Sequence, residues 1–264
     1  MRAIILAAGR GVRLQQPEDE QIPKCLLRFG GMSLLERHLH LLRSVGVEEV
    51  AIAVGYRREM VQAELDRLAW SRRPEIVINE RFELGSVLTV HVAGDAMTRG
   101  GDTLLMDADV LYDARIARAL AAGDEPVNRL LIDRNFEKGE EPVKVCMRGG
   151  VPVELRKQLP ADIEFDTIGE SIGFFRFDEA GARRLAALAS GYIHGGRANM
   201  PHEEAVRDLL LERSQKLEVT DVTGCPWIEI DFPLDVERAA RQILPRLEPI
   251  SEAGRDSQRA RLSK

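Results

Sequence analysis

Residues 2–14 read RAIILAAGRGVRL, and Pro23-Lys24-Cys25-Leu26-Leu27 follows soon after. After Arg2 the stretch is an apolar run, which predicts a strand over 2–7 buried on both faces. The run ends in small residues, which let a ligand approach the backbone closely. Gly9 and Gly11 can take dihedral angles closed to other residues and turn successive N–H groups toward an anion. Arg13 and Lys24 add the positive charge a polyphosphate needs. A tight turn carrying solvated arginines accounts for the same residues, so the loop alone leaves both readings open. Two phosphate motifs are excluded. A dinucleotide fingerprint needs a third glycine where Leu14 stands and an acid after the strand ending at Val54-Gly55. A P-loop needs a GKS or GKT that the chain lacks.

Outward from this stretch, the chain alternates strands and helices. Strands are predicted at 2–7, 49–54, 75–79 and 102–109, and helices at 32–45, 57–69 and 86–97, with Ser86 as N-cap of the last. Strand–helix–strand repetition with short connections implies right-handed crossovers and a mainly parallel sheet. The second half is less regular. It offers strands at 129–133, 143–148, 151–155, 170–177, 216–221 and 226–230, with Gly149-Gly150 as a hairpin turn. Helices are predicted at 178–190, 202–213 and 234–245. The expected fold is α/β: a single Rossmann-like domain over 1–248, its mixed, mainly parallel sheet flanked by helices. The halves are 1–110 and 111–248, and 249–264 is expected to be a flexible tail.

Composition narrows the class. The 264 residues are 44% hydrophobic and 30% charged, which is ordinary for a globular chain. No apolar run reaches the ~18 residues of a membrane span, and the N-terminal run is too short for a signal peptide. Cys25, Cys146 and Cys225 are widely spaced with no CxxC, so a disulfide framework or zinc site is not expected and a cytoplasmic setting is. With 37 basic against 43 acidic residues, nonspecific nucleic-acid binding is not expected. A homo-oligomer is neither required nor excluded. His38 and His40, two apart on one helix, are expected at the surface.

Two acidic stations end apolar strands: Met106-Asp107-Ala108-Asp109 and Glu229-Ile230-Asp231. Ligands of open α/β sheets bind at such carboxyl ends. Magnesium is held by one or two carboxylates plus substrate phosphates. Either acid could instead cap a following segment, as Asp231 could for a helix starting near Pro233. Gly85-Ser86 would give close stacking over backbone plus a hydroxyl, or plain helix capping.

Together, LAAGRGVRL and PKCLL resemble the signature of the nucleotidyltransferase family, LAAGxGxRL…PK. Val12 departs from it, since a Ser or Thr is usual there. The resemblance implies that Leu6, Ala7, Ala8, Gly9 and Gly11 hold a nucleotide, that Arg13 contacts its phosphates and that Lys24 serves the α-phosphate. It further implies that Asp109 and Asp231 chelate Mg2+, with Asp107 and Glu229 in support, and that Gly85 and Ser86 meet the base. Arg13, Lys24 and Asp109 are the candidate catalytic residues.

Three features are similar to the CTP-using branch that acts on phosphocholine or phosphonates: MDAD at 106–109, GESIG at 169–173, and Glu203-Glu204-Ala205 ahead of WIEIDFPLD. That likeness implies a Mg2+-dependent cytidylyltransferase. It would join CMP from CTP to a small phosphonate or phosphorylated alcohol and release pyrophosphate. Lys144 would hold the acceptor's phosphoryl group, and Glu170 or Glu204 its ammonium or hydroxyl. Glu137, Glu140 and Glu141 read as a solvated charge run. A quaternary ammonium prefers an aromatic cage, and only Tyr112, Tyr192 and Trp227 lie near the site segments. The alternatives are a sugar- or inositol-phosphate nucleotidylyltransferase and, from another class, a non-catalytic nucleotide-binding module.

Overall fold

The computed structural model of the chain describes residues 1–14, 21–70, 72–137, 139–212 and 216–250. The first half runs β1 (Arg2–Ala7), a small hairpin of β2 (Arg28–Phe29) and β3 (Met32–Ser33), α1 (Leu34–Ser44), β4 (Glu49–Val54), α2 (Arg58–Leu68) and β5 (Glu75–Ile78). It continues with α3 (Ser86–Val92), α4 (Gly94–Met97), β6 (Thr103–Asp107) and β7 (Val110–Tyr112). The second half holds α5 (Ala114–Ala121), β8 (Asn128–Asp133), β9 (Lys144–Arg148), β10 (Val151–Arg156) and β11 (Thr167–Phe177). It ends with α6 (Glu179–His194), α7 (His202–Leu211), β12 (Leu217–Asp221), β13 (Trp227–Glu229) and α8 (Pro233–Arg238).

The main sheet has the order β10-β9-β11-β6-β1-β4-β5, with β8 on β11 and β12 on β8. Its β6-β1-β4-β5 portion is parallel. β1 is central and apolar from Ala3 onward because both of its faces are covered. Ile5 packs into a core with Leu35, Leu39, Val61 and Ile116, from α1, α2 and α5. Ile4 packs into another with Val87, Met97, Leu185 and Val206, from α3, α4, α6 and α7. The result is the helix-flanked mixed sheet the sequence implies.

Two departures from regular pairing build the site. β11 runs antiparallel to β8 on one side, but on the other it pairs first with β9 and then with β6. The change falls at Gly173, whose φ is +73° and where a Cβ would lie 2.2 Å from Asp107 Oδ2. This fork carries Thr167–Glu170 beyond the carboxyl end of β6. The second departure is the separate pairing of β13 with β7, with Ile230 N–H donating to Asp109 O at 2.9 Å. It brings the two acidic stations side by side.

Several expectations are corrected. The helix expected over 86–97 breaks at Ala93-Gly94 into α3 and α4. Gly85, not Ser86, occupies the N-cap of α3. The helix expected over 234–245 is α-helical only over Pro233–Arg238, then passes through π and 3-10 turns. Pro245, which lacks the N–H a regular ladder would use, explains the break. α5 was not anticipated. His38 and His40 are buried rather than at the surface. α1 is covered on both sides, so His38 Nδ1 meets Tyr112 Oη at 3.2 Å while His40 lies edge-on to Trp70. Of the tail expected over 249–264, Ile250 packs against the core that holds Ile5 and Leu35, and residues 251–264 lie outside the described residues.

Candidate nucleotide and metal site

The loop after β1 is pinned from beneath. Tyr56 N–H donates to Ala8 O at 3.0 Å, and Ala108 N–H to Leu6 O at 3.3 Å. Gly9 lies above this floor with nothing within 4 Å of where a Cβ would stand, so its backbone is open to a ligand. Gly11 has φ +65°, and a Cβ there would lie 2.9 Å from Lys24 Cγ. The glycine therefore allows the turn and makes room for the Lys24 stem. A 3-10 turn over Val12–Leu14 follows, and it aims Arg13 across the mouth of the site.

Lys24 is the hub. Its Nζ donates to Asp109 Oδ2 and to Asp231 Oδ1, each at 2.7 Å. Arg13 Nη2 reaches the same Asp231 oxygen at 2.8 Å, and its Nη1 reaches Glu141 Oε2 at 2.8 Å. Arg13 also stacks over Phe232, 5.3 Å from the ring centre. Carboxylate oxygens of Asp109, Glu229 and Asp231 lie within 4.8 Å of one another, the sole grouping of this kind among the described residues. Asp231 does not cap α8. Its own N–H and that of Phe232 donate to Asp235, which does.

Crowding of like charges shows in the protonation behaviour. Burial works against the Lys24 ammonium, but Asp109 and Asp231 outweigh it and hold the group more firmly charged than usual. Glu229 opens to solvent yet stands in a dense shell of protein. That desolvation, then Asp109 and Asp231, pushes its carboxyl well above the usual range. Asp107 is raised likewise, first by burial and then by Glu203 and Asp109. Three facing carboxylate oxygens, two of them on acids bridged by one ammonium, form a donor set that suits a hard divalent cation.

Gly85 and Ser86 are tied to the segment leading into α7. Gly85 N–H donates to Ala198 O at 2.9 Å, and a Cβ on Gly85 would lie 2.1 Å from Met200 O. The Ser86 hydroxyl accepts from His202 N–H at 2.8 Å and lies 3.1 Å from His202 Nδ1. Gly85→Ala is expected to cost about 2–3 kcal/mol, because backbone rather than a side-chain tip must retreat. Urea denaturation measures this, and an unchanged midpoint would show that the contact yields freely.

The acceptor candidates are not gathered into one cluster. Lys144 Nζ turns to Lys157 O at 2.6 Å and Pro142 O at 3.2 Å. Glu204 is held by Arg156 through two hydrogen bonds, so its charge is already matched. Glu170 stands opposite Asp133 and Lys144 in the sheet register. Burial, reinforced by Asp133, raises its carboxyl to about 7. Tyr112 is fully buried and Tyr192 packs with Arg197, so with Trp227 they form no common cage. Trp227 instead donates from Nε1 to Asp133 at 2.9 Å. Glu141, read as part of a solvated run, is bound by Arg13 and Lys157, partners too distant in sequence to be foreseen.

Glu170 gives a pH prediction. The unfolded chain ionises it near 4.5 and the folded chain near 7, so folding favours the protonated form. Its contribution is present below pH 4.5 and is lost as pH rises through 7. Glu170→Gln is expected to flatten this slope, raising stability at pH 8 relative to wild type by about 1–2 kcal/mol after allowing for partial exposure. Denaturation at pH 5 and pH 8 tests it; parallel pH profiles for the two proteins would refute it.

A forked α/β sheet, a glycine loop after its first strand and a lysine-bridged acidic cluster at the strand ends define a nucleotidyltransferase. Residues 3–163, more than half of the chain, match the MobA-like NTP transferase domain. The protein belongs to that family. It is 24% identical over 257 residues to CTP:phosphoglutamine cytidylyltransferase of Campylobacter jejuni, covering 90% of this chain and 98% of that one. It is 27% identical over 252 residues to CMP-5'-(3-aminopropyl)phosphonate synthase of Streptomyces rubellomurinus, covering 93% and 39%. The inositol-1-phosphate CTP transferase of T. maritima shares the fold, with TM-score 0.76, 20% identity, and coverage of 93% and 95%. The chain spans about half or less of the length of several curated relatives it matches. Among the described residues no helix is long and apolar enough to cross a membrane.

Proposed function

We propose that the protein is a Mg2+-dependent cytidylyltransferase that transfers CMP from CTP to a small phosphonate or phosphorylated alcohol, with release of pyrophosphate. The observation that carries the reading is the Lys24 ammonium set 2.7 Å from both Asp109 and Asp231 beside the open Gly9–Gly11 loop. The backbone of Ala8, Gly9 and Gly11 would receive the triphosphate, and Arg13 and Lys24 would neutralise it. Leu6 and Ala7 would form the floor, Gly85 and Ser86 would border the base, and Asp107 would stand by. The acceptor oxygen is already an anion, so transfer needs no protein base. It attacks the α-phosphorus in line, one P–O bond forms as another breaks, and pyrophosphate carries away the electron pair. Mg2+ bound by Asp109 and Asp231, with Glu229 beside them, would supply charge neutralisation of the phosphates and the leaving group.

CTP use is supported by relatives whose names state CTP or CMP chemistry. Glu170 and Lys144, opposite one another where β11 pairs with β9, are the candidates for holding a small polar acceptor. Glu204 is the weaker candidate because Arg156 already pairs with it. The protein is expected to act without nucleic acid or membrane insertion, in the cytoplasm, as a monomer or homo-oligomer. The structural likeness to an inositol-1-phosphate CTP transferase favours a second reading, an inositol- or sugar-phosphate acceptor. Pairing CTP, UTP, GTP and ATP with aminoethylphosphonate, phosphocholine, inositol phosphate and sugar 1-phosphates, with pyrophosphate as readout, tests both. Preference for a sugar 1-phosphate would overturn the first.

A further inference from the structure

His202, the first residue of α7, is buried, with 4% of its side chain exposed. Its ring stands edge-on to Phe175 and joins three elements. Nδ1 lies 3.1 Å from the Ser86 hydroxyl at the start of α3 and 3.1 Å from Glu203 Oε2. Nε2 has no hydrogen-bond partner and lies 3.9 Å from Asp107 Oδ1 at the end of β6. Among the described residues, no other basic side chain comes within ion-pair distance of Asp107. A buried imidazole nitrogen left without a partner is costly, and such exceptions call for an explanation.

Asp107 is the group that gives this placement meaning. It fills the gap left by the missing Gly173 side chain and is crowded by Glu203 and Asp109. No three of these groups form a second metal-sized cluster.

We propose that His202 is a positioning residue, whose unpartnered Nε2 faces Asp107 across 3.9 Å and steadies it, and whose Nδ1 meets the α3 start. It thereby holds the nucleotide-side and acceptor-side halves of the site in register. In the proposed function Ser86 borders the base and Asp107 stands beside the metal-binding acids, and His202 acts through them. The inference rests on the cytidylyltransferase reading only for the choice of nucleotide.

Gln places its amide about as far along the side chain as Nε2, Asn about as far as Nδ1, and Phe keeps the ring without either nitrogen. The measurements are turnover with the preferred nucleotide and acceptor, calorimetric binding of CTP with Mg2+, and melting temperature. His202→Phe and His202→Asn are expected to lose about tenfold in kcat/KM, and His202→Gln to recover to within about threefold of wild type. In a double-mutant cycle, His202→Phe is expected to add little to the loss already caused by Asp107→Asn. Losses that simply add, equal losses in the Asn and Gln variants, or activity that falls only in step with melting temperature would overturn the proposal. If wild type binds a nucleotide other than CTP, the cytidylyl reading fails, and the same variants measured with that nucleotide still decide the role of His202.

Discussion

Asp231→Asn is expected to lower turnover by about 10³-fold while the protein stays folded. The substitution keeps the shape and removes one negative charge from the cluster of Asp109, Glu229 and Asp231. Asp109→Asn is expected to act alike, since Lys24 bridges the two acids at equal distances. Folding should survive because two effects oppose each other. Either variant weakens one ion pair of Lys24, yet it also relieves the repulsion that pushes Glu229 and Asp107 upward. The melting temperature is therefore expected to move by only about 2–4 °C. Pyrophosphate release at saturating nucleotide and Mg2+, alongside a melting curve, is the measurement. Near-wild-type turnover in either variant would remove that residue from the metal-binding assignment. Loss of turnover with collapse of the melting curve would show a structural role instead.

What could be read from the sequence followed physical strength. β1, β4 and β6 are buried on both faces, so their apolar runs stand out, and the glycine loop follows directly in the chain. Lys24, Asp109 and Asp231 were legible as separate stations because each sits where a strand or turn delivers it. Their meeting was implied only by the family resemblance and not by the residues along the chain, because it depends on β13 pairing with β7. α5 was legible and was missed: Asp113 caps it, and its buried residues Ile116, Ala117 and Leu120 recur at helical spacing. The partners of Glu204 and Glu141 come from distant segments, so a reading along the chain saw free charges where folding makes pairs. His202 illustrates the same limit. MPHEEAV announces a helix start but nothing of Ser86 or Asp107, which arrive from α3 and β6. Gly173 carried a hint in GESIG, yet only the forked pairing of β11 shows why that glycine must be bare.

Lys24→Met separates two functions that one ammonium performs. Met keeps an unbranched stem in the space Gly11 leaves open, so packing changes little. Turnover is expected to fall by about 10²-fold, because a positive charge beside the phosphates is lost. Stability without metal is expected to fall by about 2 kcal/mol, since Asp109 and Asp231 lose the cation between them and Arg13 compensates only Asp231. The sign of the Mg2+ effect is the sharper test. In wild type the ammonium already occupies the bond directions of both carboxylates, so an added divalent ion must compete with it. In the variant that competitor is gone, and binding to the folded state alone raises stability with ligand concentration. Mg2+ is therefore expected to raise the variant's melting temperature at lower concentrations than it does for wild type. Identical Mg2+ titrations would mean that lysine and metal do not share these two carboxylates, and the metal site would have to lie elsewhere among the acids at the strand ends.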